Sequence, residues 1–214
     1  NPKSKTSVRK KLEELSPPVH DTNPVLACHI LRYCARFAGV EIYQLRVFDS
    51  NAGWGGQALA ACAADVGCYH GYLPFDTIVR PLVAERLNAA LMENISSMSS
   101  TNEFWVREMG AQQVGDPAHL YDVYIIHETD LSPLTESQSH LSPAWRFVRP
   151  GGHVILFTGP SPRSLERAKL ALELTGPFLG RKSLWPEPLV FGVRERFRGK
   201  WAISKALVWT KIEA

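Results

Sequence analysis

The sequence lacks most of the features that would assign it at a glance. Its 214 residues contain only four cysteines, Cys28, Cys34, Cys62 and Cys68, and no two of them have the C-x-x-C spacing of a zinc site. They read as reduced, mostly buried thiols of an intracellular protein, in the mitochondrial matrix or the cytoplasm, and no metal site is expected. No run of about 18 apolar residues occurs, so no membrane contact is expected. Charge of neither sign dominates: 24 Lys and Arg against 21 Asp and Glu leave +3, which selects no class of partner. Internal repeats are absent as well. The chain starts at Asn1 rather than Met, as a processed, tagged or partial product would, which leaves a removed targeting segment open.

What is present is a core. A hydrophobic content of 45% with 21% charged residues suits one globular domain of ordinary size. Residues 1–22 read as a basic arm carrying Lys3, Lys5, Arg9, Lys10 and Lys11, closed by Ser16-Pro17-Pro18, and residues 23–214 as the single domain. Asn23-Pro24 is an N-cap followed by proline at the first helical position. The helix it starts runs to about Ala38, with Leu26, Ile30, Tyr33, Cys34 and Phe37 on one inward face and Gly39 as its stop.

The chain then alternates. Strands are expected at Tyr43–Phe48, Cys68–Tyr72, Phe104–Arg107, Val123–Ile126 and His153–Phe157. Helices are expected at Gly55–Ala64, Ile78–Met92, Ser139–Phe147 and Pro162–Thr175, with a serine-rich linker at Ser96–Ser100 and a tight turn at Arg149-Pro150-Gly151-Gly152. Leu189–Arg194 and Ile203–Thr210 have no helix between them, so they pair as an antiparallel hairpin. Strands separated by helices need crossover connections, which makes the main sheet parallel. The fold class is therefore α/β, a Rossmann-like, doubly wound, mostly parallel seven-stranded sheet with a C-terminal antiparallel hairpin.

Within this order, Val47-Phe48-Asp49-Ser50-Asn51-Ala52-Gly53-Trp54-Gly55-Gly56 is the most informative stretch. An apolar strand ends in an acid, breaks at a glycine-rich turn and becomes a helix, which is the layout of a strand whose carboxyl end abuts a ligand. Purely steric helix entry would also need such glycines. A second informative stretch is Phe191 to Trp201, where Arg194, Arg196, Arg198 and Lys200 alternate with aromatic residues. Cations that neutralise phosphates beside rings that stack bases suit a nucleic acid. A hairpin with an aromatic inside and a charged outside would read the same way.

The loop after Asp49, the Arg149-Pro150-Gly151-Gly152-His153 turn and the closing hairpin together resemble the class I S-adenosylmethionine-dependent methyltransferases, over roughly Tyr43 to Ile212. The Ala-Gly-Trp-Gly form, with Tyr69-His70-Gly71-Tyr72 after it, looks most like members that act on nucleic-acid bases. The resemblance implies S-adenosylmethionine as cofactor. Asp49 would face its amino group, Ala52, Gly53, Trp54 and Gly55 would line it, and Glu108 and Met109 would lie near its adenine.

The chain also departs from the pattern. Leu73 stands where an acid is expected to meet the ribose hydroxyls. The fourth strand ends in His127-Glu128-Thr129-Asp130 and lacks the Asp/Asn-Pro-Pro-Tyr/Phe that grips a flipped base. His127 is the natural base there, with Glu128 and Asp130 to orient it, and these three are the catalytic candidates; a polar loop with helix-capping acids is the bland alternative.

The reading that joins these features is a methyltransferase-like protein with weak or lost catalysis. It would be a structural or RNA-binding subunit, partnered by RNA and protein, of a larger assembly such as a mitochondrial ribosomal or RNA-processing complex. The alternative is an active S-adenosylmethionine-dependent RNA or DNA methyltransferase with an atypical catalytic loop. A nucleotide-binding oxidoreductase is disfavoured because the third spaced glycine of G-x-G-x-x-G is missing.

Overall fold

The computed structural model describes residues 23–52, 55–74, 93, 103–109, 120–127, 147–158, 188–197 and 200–211. The expected helices over residues 78–92 and 162–175, the linker at 96–100, the arm and nearly all of the helix at 139–147 lie outside them.

The first element forms as its sequence dictates. Asn23 Oδ1 accepts hydrogen bonds from the Val25 and Leu26 N–H groups at 3.0 and 3.3 Å, and Pro24 opens helix α1 (Pro24–Phe37). Leu26, Ile30 and Cys34 are buried at helical spacing, joined by Ala27, Leu31 and Ala35. The expected stripe fails at its end: Phe37 is 66% exposed, with its ring tilted against that of Tyr33 at 4.7 Å. Gly39, at φ +66°, carries the chain away.

A 3-10 turn (Ile42–Gln44) follows, then strand β1 (Arg46–Asp49). The strand expected from Tyr43 thus begins three residues later. Gly67 explains the delay, because its Cα lies so close to the Tyr43 carbonyl that no Cβ could fit there. Ladder pairing starts only where the Leu45 carbonyl accepts from Cys68 N–H at 3.1 Å. Helix α2 (Gly56–Ala64) comes next, entered through Gly55 at φ +91° and ended by Asp65 in the left-handed region. The remaining strands are β2 (Cys68–Pro74), β3 (Glu103–Met109), β4 (Tyr121–His127), β5 (Val148–Thr158), β6 (Leu189–Phe197) and β7 (Lys200–Thr210).

The described strands form one seven-stranded sheet in the order β3-β2-β1-β4-β5-β7-β6. Strands β1 to β5 pair in parallel, whereas β7 runs antiparallel to both β5 and β6. This is the Rossmann-like architecture expected, with the closing hairpin inserted so that its second strand lies inside. Period-2 alternation sorts the side chains into two layers. Val47, Tyr69, Val123, Ile125 and Ile155 pack under α1 and α2, and Phe48, Tyr72, Tyr124, Ile126, Leu156 and Leu207 form the opposite layer. Phe48 is the hub of that second layer, with the Tyr124 ring stacked at 4.7 Å.

The turn expected at Arg149–Gly152 is a bulge inside β5 instead. Tyr121 pairs with Val148 but Val123 pairs with His153, so three extra residues loop out of β5. Gly151 takes φ +76°, and its N–H and the Gly152 carbonyl bond to Lys211, which lets the ladder continue on both sides. Arg149 pairs with Asp122 across the bulge. Among the described residues, no helix is long and apolar enough to cross a membrane.

His153, at the foot of this bulge, is fully buried, with Nδ1 3.1 Å from Thr210 Oγ1. Burial pushes its imidazole below the usual value and outweighs the upward effects of a Cys34 backbone hydrogen bond and the Asp122 charge; Arg149 adds a smaller downward push. The unfolded chain therefore takes up this proton near pH 6.5 while the folded chain still resists it, so the contribution of His153 is present above that pH and lost below it. Urea denaturation of wild type and His153→Asn should show their stability difference shrinking as pH falls from 7.5 to 5.5, by up to about 1.4 kcal/mol per pH unit. A constant difference would contradict this account.

Candidate functional site

In an open α/β sheet, ligands meet the carboxyl ends of the strands where the strand order reverses. Here that point lies between β1 and β4, whose final residues are Asp49 and His127. Both side chains belong to the layer under α2, since Asp49 follows Val47 and His127 follows Ile125 at strand period.

Asp49 has no exposed surface. Its Oδ2 accepts the Tyr69 hydroxyl at 2.7 Å, and its Oδ1 accepts the Asn51 N–H at 3.0 Å. The His127 Nε2 lies 3.6 Å from Oδ1, too long for a hydrogen bond but close enough to become an ion pair on protonation. Gln57 closes the group: its Nε2 lies 2.8 Å from His127 Nε2. Nε2 is thus set between a carboxylate and an amide, and the group as a whole can hold one proton deep under the helix.

The turn that follows Asp49 is equally self-contained. Ser50 N–H and Oγ both bond to the Ile125 carbonyl, at 3.1 and 3.0 Å. Ala52 N–H bonds to the Tyr72 carbonyl at 2.8 Å, and Gly55 N–H returns to the Ala52 carbonyl at 2.9 Å. Gly55 is needed there for its positive φ, the reason its position was expected to be glycine.

The structure thus brings together Asp49, Ala52, Gly55 and His127 from the residues expected at a site. Gly53, Trp54, Glu128 and Asp130 lie outside the described residues. Glu108 and Met109 are the last two residues of β3, with Leu73 opposite Glu108 at the end of β2, so backbone pairing places them at the same carboxyl edge. Sequence reasoning missed Tyr69 as the partner of Asp49 and Gln57 as the partner of His127. Gln57 had a visible signal, as the single polar side chain in Gly56-Gln57-Ala58-Leu59-Ala60-Ala61-Cys62-Ala63-Ala64. Tyr69 had none beyond strand parity.

These residues fit S-adenosylmethionine poorly. The acid expected to meet its amino group is buried and bonded inward, and Leu73 offers no acceptor for its ribose.

The basic hairpin is divided by its register. Phe191 packs inward, its ring 5.0 Å from that of Tyr33. On the other face of the β6–β7 hairpin, Val190, Trp201 and Ile203 are exposed, Trp201 by 64%. The Arg194 guanidinium lies over the Trp201 ring at 4.7 Å. Arg196 occupies the register position opposite Trp201 and Lys200 the one opposite Phe197, while Arg198 lies outside the described residues.

No protein-family model matches the chain, and no curated protein matches it in sequence. Solved structures do match. The methyltransferase domain of bacterial CtHen1-C superposes with a TM-score of 0.59 at 13% identity, over 88% of this chain and 100% of that one. The N-methyltransferase NodS of Bradyrhizobium japonicum, in complex with S-adenosyl-L-homocysteine, gives 0.56 at 11% identity, over 97% and 98%. A putative RNA methyltransferase of Pyrococcus horikoshii gives 0.55 at 15% identity, over 87% and 84%. The chain has the fold of the class I S-adenosylmethionine-dependent methyltransferases, in a sequence that has diverged far from these examples.

The buried Asp49 group predicts its own energetics. Tyr69→Phe removes a hydroxyl donor to a carboxylate that water cannot reach, and should lower unfolding stability by about 1.5–3 kcal/mol. Chemical denaturation measures this; a loss below about 0.5 kcal/mol would mean the hydroxyl is not holding Asp49.

Proposed function

We propose that this protein uses the methyltransferase fold as a scaffold, with methyl transfer weak or lost, and serves as an RNA-binding subunit of a larger assembly. The observation that carries the first half is the inward commitment of Asp49. Both its oxygens are engaged within the protein, and the N–H groups of Ser50, Asn51, Ala52 and Gly55 are spent on protein acceptors. A cofactor would have to break these bonds to use them, at about 1–3 kcal/mol for each buried group left unpaired.

The second half draws on the hairpin. An exposed indole beneath a guanidinium, flanked by exposed apolar side chains, gives one surface that can stack a base and neutralise a phosphate. Arg196 in the same register row adds to its charge. Single-stranded RNA suits it better than a duplex, whose bases present no open face for stacking. The location that goes with this reading is intracellular, in the mitochondrial matrix or the cytoplasm, and the four free thiols suit both.

A second reading, active methyl transfer to RNA or DNA, is favoured by one feature. His127 ends β4 beside Asp49 and Gln57, where a base could take a proton from a substrate.

Calorimetry separates the two. Titration with S-adenosylmethionine should give no saturable heat at 1 mM ligand, roughly a thousandfold weaker than micromolar binding; a micromolar Kd would replace the scaffold reading with the enzymatic one. For the RNA reading, single-stranded RNA should bind the wild-type chain in a salt-sensitive way. Arg194→Glu with Arg196→Glu should abolish that binding, and Trp201→Ala should cost about 1–3 kcal/mol. Binding that all three changes leave intact would remove the hairpin as the interface.

A further inference from the structure

At the other end of the sheet and on its opposite face, three potential ligands converge. Cys68 opens β2 and Glu103 opens β3, and the two are direct neighbours in the parallel register. His70 follows Cys68 at strand period, so its ring lies over the same spot. The His70 Nε2 is 3.3 Å from Cys68 Sγ and 3.0 Å from Glu103 Oε1, and all three ligand atoms lie within 4.8 Å of one another. A tetrahedral zinc ion with ordinary Zn–S and Zn–N distances would need edges of roughly 3.3–3.6 Å, only tenths of an ångström from the two edges at His70 Nε2, and the exposed Glu103 side chain can adjust the third.

The surroundings resemble those of a ligating histidine. Its second nitrogen, Nδ1, is 2.7 Å from the Tyr121 hydroxyl, and the two rings meet edge to face at 5.5 Å. Burial keeps that phenol protonated by raising it well above its ordinary value. A hydroxyl in this place fixes the ring and directs the Nε2 lone pair toward Cys68 and Glu103. Cys68 and His70 are buried, whereas the Glu103 side chain is 63% exposed, which supplies an entry path and room for a water ligand.

We propose that Cys68, His70 and Glu103 form a zinc site with three protein ligands and one open position, independent of the Asp49 group. One thiolate, one imidazole and one carboxylate are the mixed donor set that zinc accepts and that magnesium or calcium does not. The thiolate and carboxylate neutralise the ion. Nearby, the Arg46 guanidinium sits above the Tyr121 ring at 5.9 Å, and Asp122, which pairs with Arg149, accepts the Arg46 backbone N–H at 2.7 Å. Zinc takes cysteine as the thiolate, so binding must release the Cys68 proton. The C-x-x-C patterns that announce zinc in a sequence could not show this site, because Glu103 is brought to Cys68 only by strand pairing.

The full chain, stripped with chelator and titrated with Zn2+ against a chromogenic competitor, should bind one equivalent, with affinity rising as pH increases. Substituted Co2+ should show thiolate-to-metal charge-transfer absorption. Cys68→Ser should abolish that absorption and weaken zinc at least about 100-fold, and Tyr121→Phe should weaken it about 10–100-fold through the ring it holds. Glu103→Gln, on the exposed edge strand, keeps the fold intact and should weaken zinc while preserving the thiolate absorption. Failure of the wild-type chain to retain zinc would overturn the site. An affinity unchanged in Cys68→Ser and Glu103→Gln would overturn it equally, by placing the ion on other groups.

Discussion

Asp49 is a carboxylate with no access to water, and an isolated buried charge of that kind would cost several kcal/mol. The chain meets this constraint with donors from two directions. The Tyr69 hydroxyl comes from β2 and the Asn51 N–H from the turn, while His127, at the end of β4, stands 3.6 Å away. Each of these fixes an element. Tyr69 sets the facing of β2, Asn51 sets the path of the turn into α2, and the Gln57–His127 contact locks α2 over β4. The centre of the sheet is thus organised around one buried acid.

How much of this was legible in the sequence depends on the range of the interaction. Local rules were enough for α1, whose Asn23 cap and Pro24 start are readable from two residues, and for the alternation that yields the parallel sheet. They were also enough for the closing hairpin and for placing Asp49 at the carboxyl edge. They failed where tertiary geometry decides. The late start of β1 follows from a contact between Gly67 and Tyr43, and the conversion of Arg149–Gly152 from turn to bulge follows from Lys211, some 60 residues on. At the site, Asp49 and His127 could be named, but their inward orientation could not. It depends on Tyr69 and Gln57, whose roles exist only once β2 and α2 are packed.

The two ends of the sheet carry opposite chemistry. At the carboxyl end, Asp49, Tyr69, His127 and Gln57 face one another. At the amino end, Cys68, His70 and Glu103 present donors at the spacing of a small cation, with Tyr121 behind them. The exposed Arg194–Trp201 pair adds a third surface, on the hairpin beyond β5. Strand register alone can build such peripheral surfaces, away from the carboxyl edge of the sheet.

The position of β7 has a consequence for how the protein comes into being. The last of the described strands is an interior one, pairing with β5 on one side and β6 on the other. During synthesis from the N-terminus, the β5 edge that β7 takes therefore stays open until β7 is made, and β6 has no strand of this pairing to dock on before then. This side of the sheet can close only once β7 has emerged, and Lys211, through its bonds to Gly151 and Gly152, follows directly to lock it. Until then the protein carries an unpaired strand edge of the kind that chaperones or assembly partners cover.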